Sequence, residues 1–185
     1  MKYCSFATIL VCFALAFCTK VFAYTTNDDR FQVRIAIVDV QSILENSIAV
    51  QSIRESVYRV HKKIQQDMAD KEAEFKKIET TLIEKRSSIG EEKFEQEALK
   101  FDEMVNLTKK QIQKRKTQLE SAHAEAMGKV HGTTIDIISN LAEKHNINLV
   151  IPSAQILFAK STLNMTLEVI EELNKQLKTV EVKYE

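Results

Sequence analysis

Apolar residues recur at three- and four-residue steps through the middle of the chain, and they cluster into short β-branched runs only toward its two ends. The first such run, residues 33–40 (Val-Arg-Ile-Ala-Ile-Val-Asp-Val), reads as a strand. Ser42-Ile43-Leu44-Glu45 follows with the Ser-x-x-Glu spacing of a capping box, which predicts a helix start at Ser42. The helix runs to about Ser87. Its apolar positions are Ile53, Val57, Val60, Ile64, Met68, Phe75, Ile78, Leu82 and Ile89, a heptad seam with one extra residue before Met68. That insertion, with Lys71 at a position the seam wants apolar, predicts a locally loosened supercoil.

Residues 87–91 (Ser-Ser-Ile-Gly-Glu) interrupt the pattern. Gly90 can take the left-handed conformation that ends helices, and Ser88 with Glu91 repeats the capping spacing, so a hairpin tip is expected here. The returning arm carries Phe94, Ala98, Phe101, Val105, Ile112, Leu119, Ala122, Ala126, Val130, Ile137 and Leu141, again close to a seven-residue period. Thr108 and Arg115 fill its two skipped seam positions. About 50 helical residues give an arm of roughly 70–80 Å.

Residues 147–151 form a second expected strand closed by Pro152, and Ile156-Leu157-Phe158 a third. A last helix should start at Thr166, burying Leu167, Ile170, Leu173, Asn174 and Leu177. The fold class is therefore α+β, mostly α. A long antiparallel hairpin (46–145, tip near 87–91) stands on a small β-body built from both chain ends (24–45 and 146–185). So few strands bury too little area to stand alone. Oligomerisation is then the expected means of burying Ile35, Ile37, Leu149 and Ile151.

The beginning of the chain changes the picture of where it works. A basic Met1-Lys2, an uncharged apolar stretch from Cys4 to Phe17, and Val21-Phe22-Ala23 have the three-part pattern of a secretory signal, with cleavage expected after Ala23. All three cysteines (Cys4, Cys12, Cys18) would leave with residues 1–23, so the mature chain is expected to form no disulfide or thiolate site. Lys2 and Lys20 leave too, which takes the 26 Lys+Arg to 24 against 26 Asp+Glu, a net charge near −2. No basic excess points to nucleic acid. Three Gly and one Pro in 185 residues leave few loops, and no nucleophile, phosphate loop or paired-carboxylate site is recognisable. An enzyme is not expected, nor a cofactor.

The remaining candidates are modest. Lys109-Lys110 and Lys114-Arg115-Lys116 make one basic run, which could touch acidic clients or lipid headgroups but also suits a solvated helix face beside Glu103 and Glu120. His61, His123, His131 and His145 lack metal-ligand spacing, so no metal is expected. Two sequons, at Asn106 and Asn164, fall where helix is expected and are read as chance. Gly128 and Gly132 fit either a hinge or close packing on the body.

Residues 34–39 (Arg-Ile-Ala-Ile-Val-Asp), the hairpin, residues 146–151 (Asn-Ile-Asn-Leu-Val-Ile) and Ala159-Lys160-Ser161 together resemble the Skp/OmpH family of periplasmic chaperones. The resemblance spans essentially the whole mature chain. It implies a jellyfish-shaped homotrimer, in which a β-body joins three helical tentacles around a cavity that holds unfolded outer-membrane β-barrel proteins without ATP. It also implies that Ile35, Ile37, Leu149 and Ile151 occupy the body strands at the trimer core. One departure is clear: better-known members are basic, whereas residues 62–116 here hold 14 basic and 12 acidic side chains. Steering of clients, and contact with lipid or lipopolysaccharide, should be weaker. Phe94, Phe101, Met104 and Leu107, with Lys109 and Lys110, are the candidate client contacts. A periplasmic scaffold or adaptor is the alternative function, and a fixed partner would distinguish it.

Overall fold

The computed structural model describes residues 33–184; the expected signal at 1–23 and the start of the expected body lie outside the described residues. The elements run β1 (Ile35–Val38), α1 (Val40–Glu45), α2 (Ile48–Ile89), α3 (Glu91–Lys144), β2 (Leu149–Pro152), two 3₁₀ turns (Ser153–Gln155 and Ser161–Leu163) and α4 (Thr166–Gln176). β1 and β2 pair in parallel, Ile35 opposite Leu149 and Ile37 opposite Ile151. Parallel strands need a crossover, and here the whole α2–α3 hairpin is that crossover. It leaves the sheet and returns to it.

The helix start differs from the capping-box expectation. Asp39 caps α1 by accepting from the Ser42 amide at 3.0 Å. Ser42 lies inside the turn, and the Glu45 carboxylate takes a bond from Gln41 instead. The chain then breaks at Asn46 and restarts at Ser47, which is fully buried and caps α2 through the Val50 amide. Asn174 of α4 bridges this break, accepting from the Ile48 amide at 2.8 Å and donating to the Asn46 carbonyl at 3.2 Å.

The seam reading agrees with the structure along its length. Ile53, Ile64, Leu119, Ala122, Ala126, Val130, Ile137 and Leu141 are buried, the other seam residues are half-buried, and Lys71 is exposed. At the tip α2 continues through Ile89. Ser88 donates back to the Lys85 carbonyl and caps nothing, so the expected second capping box does not form. Gly90 alone makes the turn at φ 79°, ψ 154°. Glu91 and Glu92 then sit in the first turn of α3, where the helix dipole favours negative charge.

α3 ends in a Schellman motif: Ile147 N–H donates to the Ala142 carbonyl and Asn146 N–H to that of Glu143, with Asn146 left-handed at φ 53°. Two further expectations are corrected, and one of the two readings left open for Gly128 and Gly132 is removed. Residues 156–158 form no strand, because Pro152 ends the ladder and the chain turns away; β1 instead makes a single bridge from Ile37 to Asn164. Leu167 is exposed, since the inward stripe of α4 is Val169, Ile170, Leu173 and Leu177. Gly128 and Gly132 are not packed closely; a Cβ on either would meet nothing within 4 Å.

Ile43, Val50, Ile53, Val130, Ile137, Val169 and Leu173 fill a core shared by α1, α4 and the roots of both arms. The strands therefore do not depend on a second subunit for every buried residue, in contrast to the expectation from their number. Ile37 is already buried within one chain.

Candidate functional site

Two surfaces remain after this core is assembled: the open face of the body and the distal arm. On the body, Ile35 and Leu149 face each other across the ladder and are uncovered, at 37% and 48% exposure. Ile151 is half-buried. Of the four residues expected at an oligomer core, two are thus exposed, one is half-covered, and Ile37 is the exception because the 161–165 segment lies over it. Sequence reading missed their neighbours. Val33, Leu157, Phe158, Leu163 and Leu167 are also exposed, and Phe158 is open almost completely. Their signal was present in the sequence: an apolar trio that fits no strand and a leucine one step off the helix stripe.

A groove of about 740 Å³ runs beside β1, lined by Val33, Ile35, Leu163 and Leu167 with Arg34, His145 and Glu168 on its polar side. Arg34 donates to the His145 carbonyl at 3.1 Å, and its backbone is tied to Asn148 through bonds of 2.8 Å. His145 Nε2 lies 2.9 Å from Glu168 Oε1, and Lys144 Nζ 3.6 Å from the same oxygen. The bond from His145, helped by the charges of His145 and Lys144, holds the Glu168 carboxyl below the usual carboxylate range.

On the arm, Ile64 and Leu119 are the outermost fully buried seam residues. Val57 and Val60 nearer the body are half-buried, and so is every apolar seam residue farther out. Next to Ile64 and Leu119, Arg115 occupies its seam position, donating from Nη1 to Asp67 Oδ2 at 2.7 Å and from Nε to Tyr184 Oη at 3.0 Å. The Tyr184 hydroxyl and then Asp67 raise the guanidinium pKa further, so Arg115 stays charged throughout. Just beyond lies the stretch that carries the extra residue of the seam. Lys71 turns outward to Glu74, and a groove of about 350 Å³ opens among Met68, Phe75, Val105 and Ile112.

The structure separates the candidate client contacts. Phe101 meets Phe75 edge-on at 5.9 Å, and the Arg86 guanidinium lies over Phe94 at 5.0 Å. Both rings belong to the seam, as their spacing predicts, and both stay half-buried. Met104 and Leu107 are exposed, as are Lys109 and Lys110. Leu99, Ile83 and Tyr58 are exposed as well; each is an apolar residue off the heptad, which is the signal that could have found them. The arm thus offers isolated apolar side chains among dense mixed charge. Among the described residues no three His, Cys, Asp or Glu side chains converge as a metal site would require, and no helix is long and apolar enough to cross a membrane.

A two-armed helical hairpin inserted between paired parallel strands defines the class of fold. The profile of the family described as "Outer membrane protein (OmpH-like)" matches residues 34–173, and the chain belongs to that family. A solved structure from Caulobacter crescentus, described as a candidate outer membrane chaperone (OmpH-like), shares the fold with a TM-score of 0.75 at 14% identity, covering 80% of this chain and 88% of that one. The search of curated proteins found no match.

Proposed function

We propose that this chain is an ATP-independent holding chaperone of the periplasm, which binds unfolded outer-membrane β-barrel proteins and keeps them from aggregating. Membership of the OmpH-like family supports a chaperone role. The observation that carries the finer reading is the distribution of apolar surface on the arm. Met104, Leu107, Leu99 and Ile83 stand singly on outer faces, and none belongs to the seam. Many weak contacts of this kind can hold an unfolded chain without fixing its conformation, while the interspersed charges keep the complex in solution.

The body serves assembly in this proposal. Ile35 and Leu149, paired across the ladder, are exposed apolar residues of the body, as are Leu157 and Phe158; a self-association would cover such residues, and a homotrimer is the form the family resemblance implies. Lys109 and Lys110 contribute local attraction to acidic client segments or, more weakly, to lipid or lipopolysaccharide headgroups. No catalytic step and no cofactor is part of this function.

Binding of a fluorescently labelled, urea-unfolded outer-membrane protein to the purified chain tests it. Met104→Ser with Leu107→Ser should weaken binding severalfold at unchanged oligomer mass. Undiminished binding would remove the arm from the account.

A further inference from the structure

The segment after α4 ends beyond the region that the family profile matches, which stops at residue 173, yet it is not a loose end. Residues 177–184 contain no helix or strand, but from Val180 to Tyr184 their burial alternates, and the Tyr184 N–H donates to the Val182 carbonyl at 2.9 Å. Val180 is buried in the stem core, Val182 and Tyr184 are half-buried, and Glu181 and Lys183 between them are exposed. Tyr184 reaches the Arg115–Asp67 pair, just beyond Ile64 and Leu119, the outermost fully buried residues of the seam. The segment is therefore seated on the hairpin by every second side chain, and its polar residues face water.

We propose that this segment is a built-in client mimic, occupying a seat on the stem that accepts an extended stretch of unfolded β-barrel protein. Barrel strands carry apolar and polar residues in strict alternation, with aromatic residues at the edges of the apolar band. Val180, Val182 and Tyr184 present that pattern, and Arg115 supplies a cation and a hydrogen-bond donor where the aromatic end lies. Val182 and Tyr184 are only half-buried, so this end of the segment can lift away while Val180 stays in the core. The inference rests on the holdase reading and adds a specific seat and a competitor for it.

A seat filled for about 80–90% of the time weakens apparent client affinity about five- to tenfold. Chains ending at Lys178 should then bind a labelled, unfolded outer-membrane protein five- to tenfold more tightly than the full chain. Val182→Asp with Tyr184→Ser, which keeps Val180 in the core, should give a gain in the same direction. A labelled peptide of residues 179–185 should bind the shortened chain and be displaced by client. If full and shortened chains hold client with equal affinity, or if peptide and client bind together, the segment is only a strap and the mimic is refuted while the holdase stands. If neither chain holds client, the holdase reading falls and the mimic falls with it.

Discussion

Arg115 and Tyr184 stand 69 residues apart in the chain, and Nε of the first donates to Oη of the second at 3.0 Å. The same guanidinium holds Asp67 across the hairpin, so one side chain ties α2, α3 and the segment after α4 together. Tyr184→Phe keeps the ring and removes the acceptor. It should lower stability by about 0.5–1 kcal/mol. Hydrogen exchange should show the loss around Ile64 and Leu119 and not in the body. Unchanged protection there would mean that the bond carries no weight.

The break between α1 and α2 yields a sharper contrast. Ser47→Ala removes a buried cap and should cost about 1 kcal/mol, whereas Ser42→Ala, at the residue the capping box singles out, should cost far less. Asn174→Ala removes both bonds across the break and should cost about 1–3 kcal/mol. Urea midpoints at constant slope would rank the three.

At the tip, Gly90 has positive φ with an extended ψ, a region that is essentially glycine's alone. Gly90→Ala should cost about 1–3 kcal/mol locally. The effect should appear as faster amide exchange near Ile89 and Phe94, with the oligomer unaffected.

Ile35→Asp with Leu149→Asp tests assembly. Both positions are uncovered in the single chain, so the secondary structure should survive while the mass measured by light scattering falls to that of a monomer. Ile43→Ala, in the fully buried core, should do the reverse and cost about 2–5 kcal/mol of chain stability.

Glu168 gives a pH dependence whose sign is fixed by its partners. Its carboxyl titrates lower in the folded chain than the ordinary value of 4.5, because His145 and Lys144 favour the charged form. Its contribution is complete above that value and is lost as pH falls through the lower, folded one. The pair is about two-fifths exposed, so screening limits the effect to a few tenths of a kcal/mol. Glu168→Gln should flatten that part of the acid limb in urea titrations.

The arms were legible from the heptad alone. A seam of apolar residues can be satisfied only by another such seam, and one glycine marked where the chain turns. The body was less legible, for reasons visible at particular residues. Asp39 outcompeted Ser42 because the cap is the last extended residue before the helix, and the helix starts about one turn earlier than the capping box implied. The trio 156–158 has strand composition but no strand beside it, a fact of topology that composition does not carry. The period placed Phe94 and Phe101 in the seam, but their α2 partners Arg86 and Phe75 come into register only once the hairpin closes. The Tyr184–Arg115 contact joins residues with no shared period and left no sequence signal except a polar residue in the seam.

The central claim is best tested by light scattering, as a urea-unfolded outer-membrane β-barrel protein is diluted into purified residues 24–185 without nucleotide. Suppression of scattering that saturates near one oligomer per client is the predicted result. Scattering that rises unchanged in the presence of a well-formed oligomer would contradict the holdase account and favour a scaffold with a fixed partner.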